Sequence, residues 1–455
     1  MCVLKLVYVF GVFFAGYANG ADNVLKQSLQ EKLSCFMVNT AAKIHRSNTE
    51  NKMYAKNIIF SPIDLYASTA IVYWGTTDDR MRQQLDTVLG FQTLEKFLEQ
   101  HPEAAQYITL PPIFHQKNSR KKLALLKGEP SLYHNDDYEN YLYIINIQLG
   151  NLFRATVDKE HSAIRSAKWI FVDNKFAVNQ SFVKNVKNYY GIDVKSTYFE
   201  TNPKLAIDTI NQIVKNLTYD RIPNFIEKPL EKNTVSVMSS SLTLVTNWER
   251  MFQPDDSYET AFHTRDGECD GCDLVDICVM LNQGNIPYYA DPIVTAIALP
   301  TATPEIRMYY VLPRDNQTLA DILEHPNKNL FKKIIDGVEI TRIIYSVPKM
   351  NFAGEVDQLD ILRMHGLDKI TLDCIAQGLT LSVFKQKVLL ELNEEGIGGC
   401  PLMKSKKMPL VHQKLDTKAI EFTVDKPFLC FIYDTKTKMF LFYGAVFEPT
   451  GYTDF

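Results

Sequence analysis

The segment from Glu391 to Phe428 constrains the fold more than any other stretch of this chain, because its composition changes twice within it. Lys387 to Leu392 is apolar and leucine-rich, as a buried strand requires. Glycines then gather at Gly396, Gly398 and Gly399, a lysine-studded polar run follows, and an apolar strand resumes at Phe428. A long loop tethered by strands at both ends is ordinarily a functional element rather than a passive connector.

The N-terminus has a separate logic. One positive charge in Met1 to Lys5, an apolar run from Leu6 to Ala18 and the small residues of Ala18-Asn19-Gly20 make residues 1–20 a secretory signal peptide, removed from the mature chain. That run is too short to span a bilayer as a helix. No later segment is as long and apolar, so residues 21–455 are expected to form a secreted, extracellular protein with no membrane partner. The 49 basic residues nearly balance the 53 acidic ones, which argues against a nucleic-acid binder. Sequons at Asn179, Asn216 and Asn316 are candidate glycosylation sites on such a chain. Of eight cysteines, Cys2 leaves with the signal, so an odd number remains and at least one thiol is free or intermolecular.

Along the mature chain, residues 24–46 carry Leu25, Leu29, Leu33, Phe36 and Met37 at helical spacing. Asn57-Ile58-Ile59-Phe60-Ser61-Pro62 reads as a short strand stopped by proline, followed by helices over Ala67–Trp74 and Arg80–Leu89. From about Glu95 to Tyr143 the chain is charged, proline-bearing and weakly periodic, an insertion of residues 95–143. Alternation returns at Ala167–Val172, and helical patterns run to about Leu217. Strands then dominate: Val235–Asn247, Ile293–Pro300, Arg307–Pro313, Ile344–Phe352 and Gln386–Asn393. A closing hairpin joins Phe428–Tyr433 to Met439–Val446 through Asp434-Thr435-Lys436. Helices first and strands later indicate an α+β fold.

Asn57–Pro62, Trp169–Val172, Asn247-Trp248 ahead of Met251-Phe252, Asn393-Glu394-Glu395-Gly396, and Phe422 to Ile432 around Asp425-Lys426-Pro427-Phe428 are short motifs spread in order along nearly the whole mature chain. Together they resemble the serpin family of serine protease inhibitors. The resemblance implies a single domain over residues 21–455, with three β-sheets, about nine helices and a reactive-centre loop at residues 394–424. In inhibitory members a target protease cleaves that loop. The loop then inserts into the main sheet as a new strand, a metastable fold releasing strain through strand addition. Such a protein is not an enzyme and supplies no catalytic group, and no metal or cofactor is implied. The residues agree: there is no His-Glu-x-x-His, nucleophile elbow or phosphate loop. Gly396-Ile397-Gly398-Gly399, with Pro401 where a dinucleotide turn would place its last glycine, reads as a hinge.

The resemblance also assigns roles. The hinge is Glu394, Glu395, Gly396, Ile397, Gly398, Gly399, Cys400 and Pro401, where inhibitory serpins favour a small hydroxyl residue and then alanines. Ile397 is stiff and bulky for this position, the glycines increase the entropy lost on insertion, and Pro401 lacks a strand donor. Counting from Glu394 places the scissile bond at Leu410-Val411, suited to chymotrypsin- or elastase-like proteases, with Lys406, Lys407 and Lys414 as trypsin-like alternatives. Trp248 matches the family tryptophan at the top of the main sheet, the breach. The shutter beneath that sheet falls at Ser61, Asp64, Ser240 and Gln386, where the family's asparagine and histidine are replaced. Two functions therefore stand: a suicide inhibitor of an extracellular serine protease, acting as a monomer, or a non-inhibitory carrier, decoy or binding protein.

Two further clusters remain. Lys117, Arg120, Lys121 and Lys122, beside His115, lie where some serpins bind heparin and would engage a sulfated polysaccharide; nearby Asp136, Asp137 and Glu139 favour a solvated charge run instead. Cys269, Cys272 and Cys278 border a hairpin tip at residues 265–277. Zinc would need a fourth ligand, with His263 near, whereas a local disulfide of open pairing suits a secreted chain. Cys35, Cys374 and Cys430 read as buried apolar residues, and Cys400 as an exposed hinge thiol.

Overall fold

The computed structural model describes residues 29–50, 56–91, 149–150, 152–154, 156, 164–264, 274–314, 316–398 and 418–449. Helix α1, residues 29–50, buries Leu29, Leu33, Phe36 and Met37, the apolar stripe that its spacing sets up. Strand β1 (Ile58–Phe60) ends where Pro62 opens helix α2 (Pro62–Gly75). A proline at the first helical position sacrifices no intrahelical bond, so α2 starts ahead of the apolar run that marks it in sequence. Apart from Trp74, every residue of α2 is buried, which makes it an interior helix rather than a surface one. Helix α3 (Asp79–Leu89) is capped by Asp78, whose side chain accepts from the Met81 N–H.

Then come strand β2 (Ile164–Asp173), helix α4 (Gln180–Tyr190), strand β3 (Asp193–Thr197), helix α5 (Pro203–Leu217), strand β4 (Ser236–Leu244) and the short β5 (Thr246–Asn247). Strands β6 (Ser257–His263), β7 (Leu274–Ala290), β8 (Val294–Pro300) and β9 (Ile306–Pro313) precede helices α6 (Leu319–Glu324) and α7 (Leu330–Gly337). Strands β10 (Glu339–Pro348) and β11 (Met350–Asp357), helix α8 (Gln358–Arg363), strand β12 (Val383–Leu392) and the two-residue β13 (Gly396–Ile397) follow. The chain ends in β14 (Ile420–Thr423), β15 (Phe428–Asp434) and β16 (Met439–Val446).

Seven strands form the main sheet, running β3-β2-β4-β12 with β11 on the far side of β12 and with β13 and β5 at its upper end. Its central contact is parallel: β4 lies beside β12 from Val237 opposite Val383 to Thr243 opposite Leu389. Strand alternation divides the two faces. Ile170, Met238 and Leu242 belong to the main core that includes α2, whereas Phe171 and Val237 pack with Ala206, Ile210 and Val214 of α5. The sheet is thus covered on both sides, as a parallel strand pair requires.

The other strands make a nine-stranded sheet ordered β1-β16-β15-β9-β8-β7-β10-β14, with β6 on β7. The three sheets implied by the sequence take this form because the 17-residue β7 runs through two of them, pairing with β6 and β10 along most of its length and with β8 at its end. Gly284 and Pro287 interrupt its alternation, so no strand was legible there. The strand expected over Ile344–Phe352 divides at Lys349. Pro348 ends β10 in one sheet, and Met350 begins β11 in the other. The final hairpin is as expected, with Asp434 Oδ1 accepting from the Lys436 and Thr437 N–H groups.

The hinge and the floor of the main sheet as candidate functional site

Strand β12 ends at Leu392 and the chain reverses through Asn393–Glu395, whose turn is fixed by Asn393 Oδ1 accepting from the Glu395 and Gly396 N–H groups at 3.1 Å each. Strand β13 then returns between two neighbours. Ile397 lies opposite Leu392 on one side, and Gly396 and Ile397 lie opposite Asn247 and Thr246 on the other, all antiparallel. The hinge is therefore seated at the top of the main sheet by two residues. Ile397, bulky for such a position, is accommodated with 1% exposure.

Glycine is structurally required at two points here. A Cβ on Gly396 would stand 2.1 Å from the Thr246 carbonyl oxygen, and one on Gly398 would stand 2.1 Å from the Leu244 oxygen. Gly398 also has φ +81, the left-handed region that side chains disfavour.

The upper wall holds the turn. Trp248 Nε1 donates to the Asn393 carbonyl at 2.8 Å, the Trp248 N–H to the Glu395 carbonyl at 2.9 Å, and the Phe252 N–H to the Glu394 carbonyl at 3.0 Å. Glu394 accepts from Ser257 Oγ at 2.7 Å and pairs with Lys349 Nζ at 2.5 Å. Burial alone would raise its pKa, but the bonds from Lys349 and Ser257 outweigh burial and hold the carboxyl below its usual range. Arg221, just beyond α5, reaches the same place: one guanidinium nitrogen is 3.1 Å from Glu391 Oε2 and the other donates to the Gly398 carbonyl.

Below, at the N-terminus of α2, Ser61, Asp64, Ser240 and Gln386 are brought together. Gln386 grips Ser61 through its backbone, Oε1 accepting the Ser61 N–H at 2.7 Å and Nε2 donating to the Ser61 carbonyl at 3.2 Å. Asp64 accepts from Ser240 Oγ and, at 3.1 Å, from Ser166 Oγ. Its counter-ion is Lys168 of β2, with Nζ 2.7 Å from Asp64 Oδ1 and side-chain exposures of 3% and 0%. The ammonium also sits 3.2 Å from the centroid of the Phe153 ring, a cation–π contact. Burial drops the Lys168 pKa to about 8 against the opposing pull of Asp64. Gln358 Nε2 adds a further tie, donating to the Leu65 carbonyl at 2.9 Å.

Sequence reading missed Lys168, Lys349 and Arg221. For Lys168 a signal existed, since it shares parity with Ile170 and Val172 on the core face of β2. Of the other expected sites, Gly399, Cys400, Pro401, Lys406, Lys407, Leu410, Val411 and Lys414 lie outside the described residues, as do the basic cluster at Lys117–Lys122, Cys269, Cys272 and the signal segment. Cys278 lies in β7 opposite Glu259, and His263 ends β6 with its N–H on the Asp425 carbonyl. Cys430 is buried, whereas Cys35 and Cys374 are partly exposed. Asn179, Asn216 and Asn316 are all exposed. Asn179 is also engaged: its Oδ1 caps α4 and its Nδ2 donates to the Cys374 carbonyl at 3.2 Å. Among the described residues no helix is long and apolar enough to cross a membrane.

Comparison with known proteins agrees with this architecture. The crystal structure of mouse protein-Z dependent protease inhibitor superposes with a TM-score of 0.71 at 17% identity, covering 94% of this chain and all of that one. Human thyroxine-binding globulin complexed with its hormone gives the same TM-score at 18% identity, covering 93% of this chain and all of that one. Neuroserpin from Gallus gallus is 25% identical over 314 residues, 65% of this chain and 73% of the relative. The family model of serpins, serine protease inhibitors, matches residues 35–449, and the chain belongs to the serpin family.

Proposed function

We propose that this serpin is a secreted, monomeric pseudo-substrate inhibitor of an extracellular serine protease, with residues 394–424 as bait and Leu410-Val411 as the bond attacked. One observation carries the reading: the hinge already occupies the top of the main sheet, in line with the seam between β4 and β12. The protease serine attacks the Leu410 carbonyl, the bond to Val411 breaks, the new Val411 amine leaves with a proton, and the loop is held as an ester. The freed loop enters the seam as a strand antiparallel to both neighbours, carrying the acyl-enzyme with it and distorting the protease. Lys406, Lys407 and Lys414 serve as the corresponding sites if the target is trypsin-like.

The register supports a second reading, a non-inhibitory carrier, decoy or binding protein. Extending β13 beyond Ile397 sets Cys400 between Thr243 and Leu389 and Pro401 between Leu242 and Val388, each pair now in direct contact. At Pro401 the missing N–H would face the Leu242 carbonyl and leave it unsatisfied, a cost of about 1–3 kcal/mol. Incubation with chymotrypsin and trypsin separates the two. An SDS-stable complex with a new Val411 N-terminus supports the inhibitor. Loop cleavage with no complex and no gain in thermal stability overturns it in favour of the second reading.

A further inference from the structure

We infer that Arg221 is a positioning residue that stops the hinge after Ile397, holding it seated but unable to advance. This rests on the reading of the hinge as an inserting segment. In an antiparallel ladder a hydrogen-bonded pair exchanges two bonds. Gly398 and Glu391 make only the first, Gly398 N–H to Glu391 carbonyl at 2.7 Å. The carbonyl that should complete the pair accepts from Arg221 instead, and the other guanidinium nitrogen is held 3.1 Å from Glu391 Oε2. One side chain thus occupies the acceptor that the next rung of the sheet needs and is itself tethered to the strand offering that rung.

Gly398 records the consequence in its backbone. At φ +81 it is far from the extended values of a strand, so the chain turns out of the sheet where Arg221 takes its carbonyl. Advance by one rung requires that carbonyl to swing from the guanidinium to the Glu391 N–H while Gly398 becomes extended. Only glycine moves between those two conformations without steric cost. With its head charged and the site half-buried, at 23% and 26% side-chain exposure for Arg221 and Glu391, the contact is stronger than the neutral ladder bond that would replace it.

The test is amide hydrogen exchange on the intact, uncleaved protein, comparing wild type with Arg221→Ala and Arg221→Lys. In Arg221→Ala the Glu391 amide exchanges roughly tenfold more slowly or better, the equivalent of gaining one net ladder bond, while Ile397 and Gly398 remain protected. Arg221→Lys, which keeps a charge on Glu391 and a single donor, lies closer to wild type. Loss of protection at Ile397 and Gly398 in Arg221→Ala would make the arginine a clasp that keeps the hinge in, and unchanged Glu391 exchange would make it a bystander; either overturns the inference. No protease enters this measurement, so it stands or falls separately from complex formation.

Discussion

Replacing Lys168 by methionine isolates the buried charge beneath the main sheet, because methionine keeps most of the apolar stem and removes the ammonium. Asp64, with no exposed side-chain surface, would retain the hydroxyls of Ser240 and Ser166 but lose its counter-ion. Breaking a buried ion pair on one side costs about 3–5 kcal/mol, whereas replacing both partners is often close to neutral. Lys168→Met should therefore lower the first urea-unfolding transition at pH 7 by about that amount, and Asp64→Asn combined with Lys168→Met should recover most of it. The pH dependence supplies a second readout. Lys168 has a folded pKa lowered to about 8, against roughly 10.4 in an unfolded chain. Between these values the unfolded chain holds a proton that the folded one has released, so stability rises with pH across that window and is flat below it. The single mutant should lose this rise. A loss below about 1 kcal/mol, or strictly additive effects in the double mutant, would refute the view that the pair acts as one buried unit.

Three other outcomes follow from the hinge. Lys349→Met frees Glu394 from the ion pair that depresses it; the wild-type protein loses the pair's contribution as pH falls below roughly 4.3, the ordinary glutamate value, and the mutant should lose less over that range in an acid-unfolding titration. Gly396→Ala drives a methyl against the Thr246 carbonyl and should unseat the turn, shifting Trp248 emission and lowering stability by about 1–3 kcal/mol. Pro401→Ala restores a strand donor and should raise the ratio of SDS-stable complex to simply cleaved product with a chymotrypsin-like protease; an unchanged ratio would show that the proline does not limit insertion.

Fold and family were legible in sequence because they rest on local patterns: the leucine stripe of α1, the proline that closes β1, the alternation of β2 and the closing hairpin. The break at Lys349 was not, since Val347, Pro348 and Met350 read as one apolar run and only tertiary placement sends its halves to different sheets. Ser61, Asp64, Ser240 and Gln386, the positions that the resemblance assigns to the shutter, lie together beneath the sheet, yet the ion pair that Asp64 makes with Lys168 was not legible. Its lysine lies far from Asp64 in sequence, and a lysine in an alternating strand ordinarily marks the solvent face. Arg221 carried no pattern at all, because its role depends on the backbone of residues brought to it by the return of β13.

If the loop inserts as proposed, the resistance to its entry falls early in insertion, and this follows from which parts the floor ties together. Asp64 binds α2 to β2 and β4 through Lys168, Ser166 and Ser240, while Gln386 and Gln358 bind the same helix to β12 and to the start of α8. Admitting a strand between β4 and β12 separates them by a further strand spacing of about 4.8 Å, so α2 cannot keep both sets of contacts. The neutral side gives way more readily: hydrogen bonds of this kind contribute about 0.5–1.5 kcal/mol each, against several kcal/mol for stripping the buried lysine from Asp64. The helix should therefore stay with β2 and β4 and part from Gln386. By the time that parting begins at the Thr243–Leu389 pair, only Gly398 to Cys400 have joined the ladder, each offset by about 1–2 kcal/mol of lost backbone entropy. Pro401 is next in line, so opening of the sheet and the missing proline donor fall on the same step, before insertion has gained enough to carry it through.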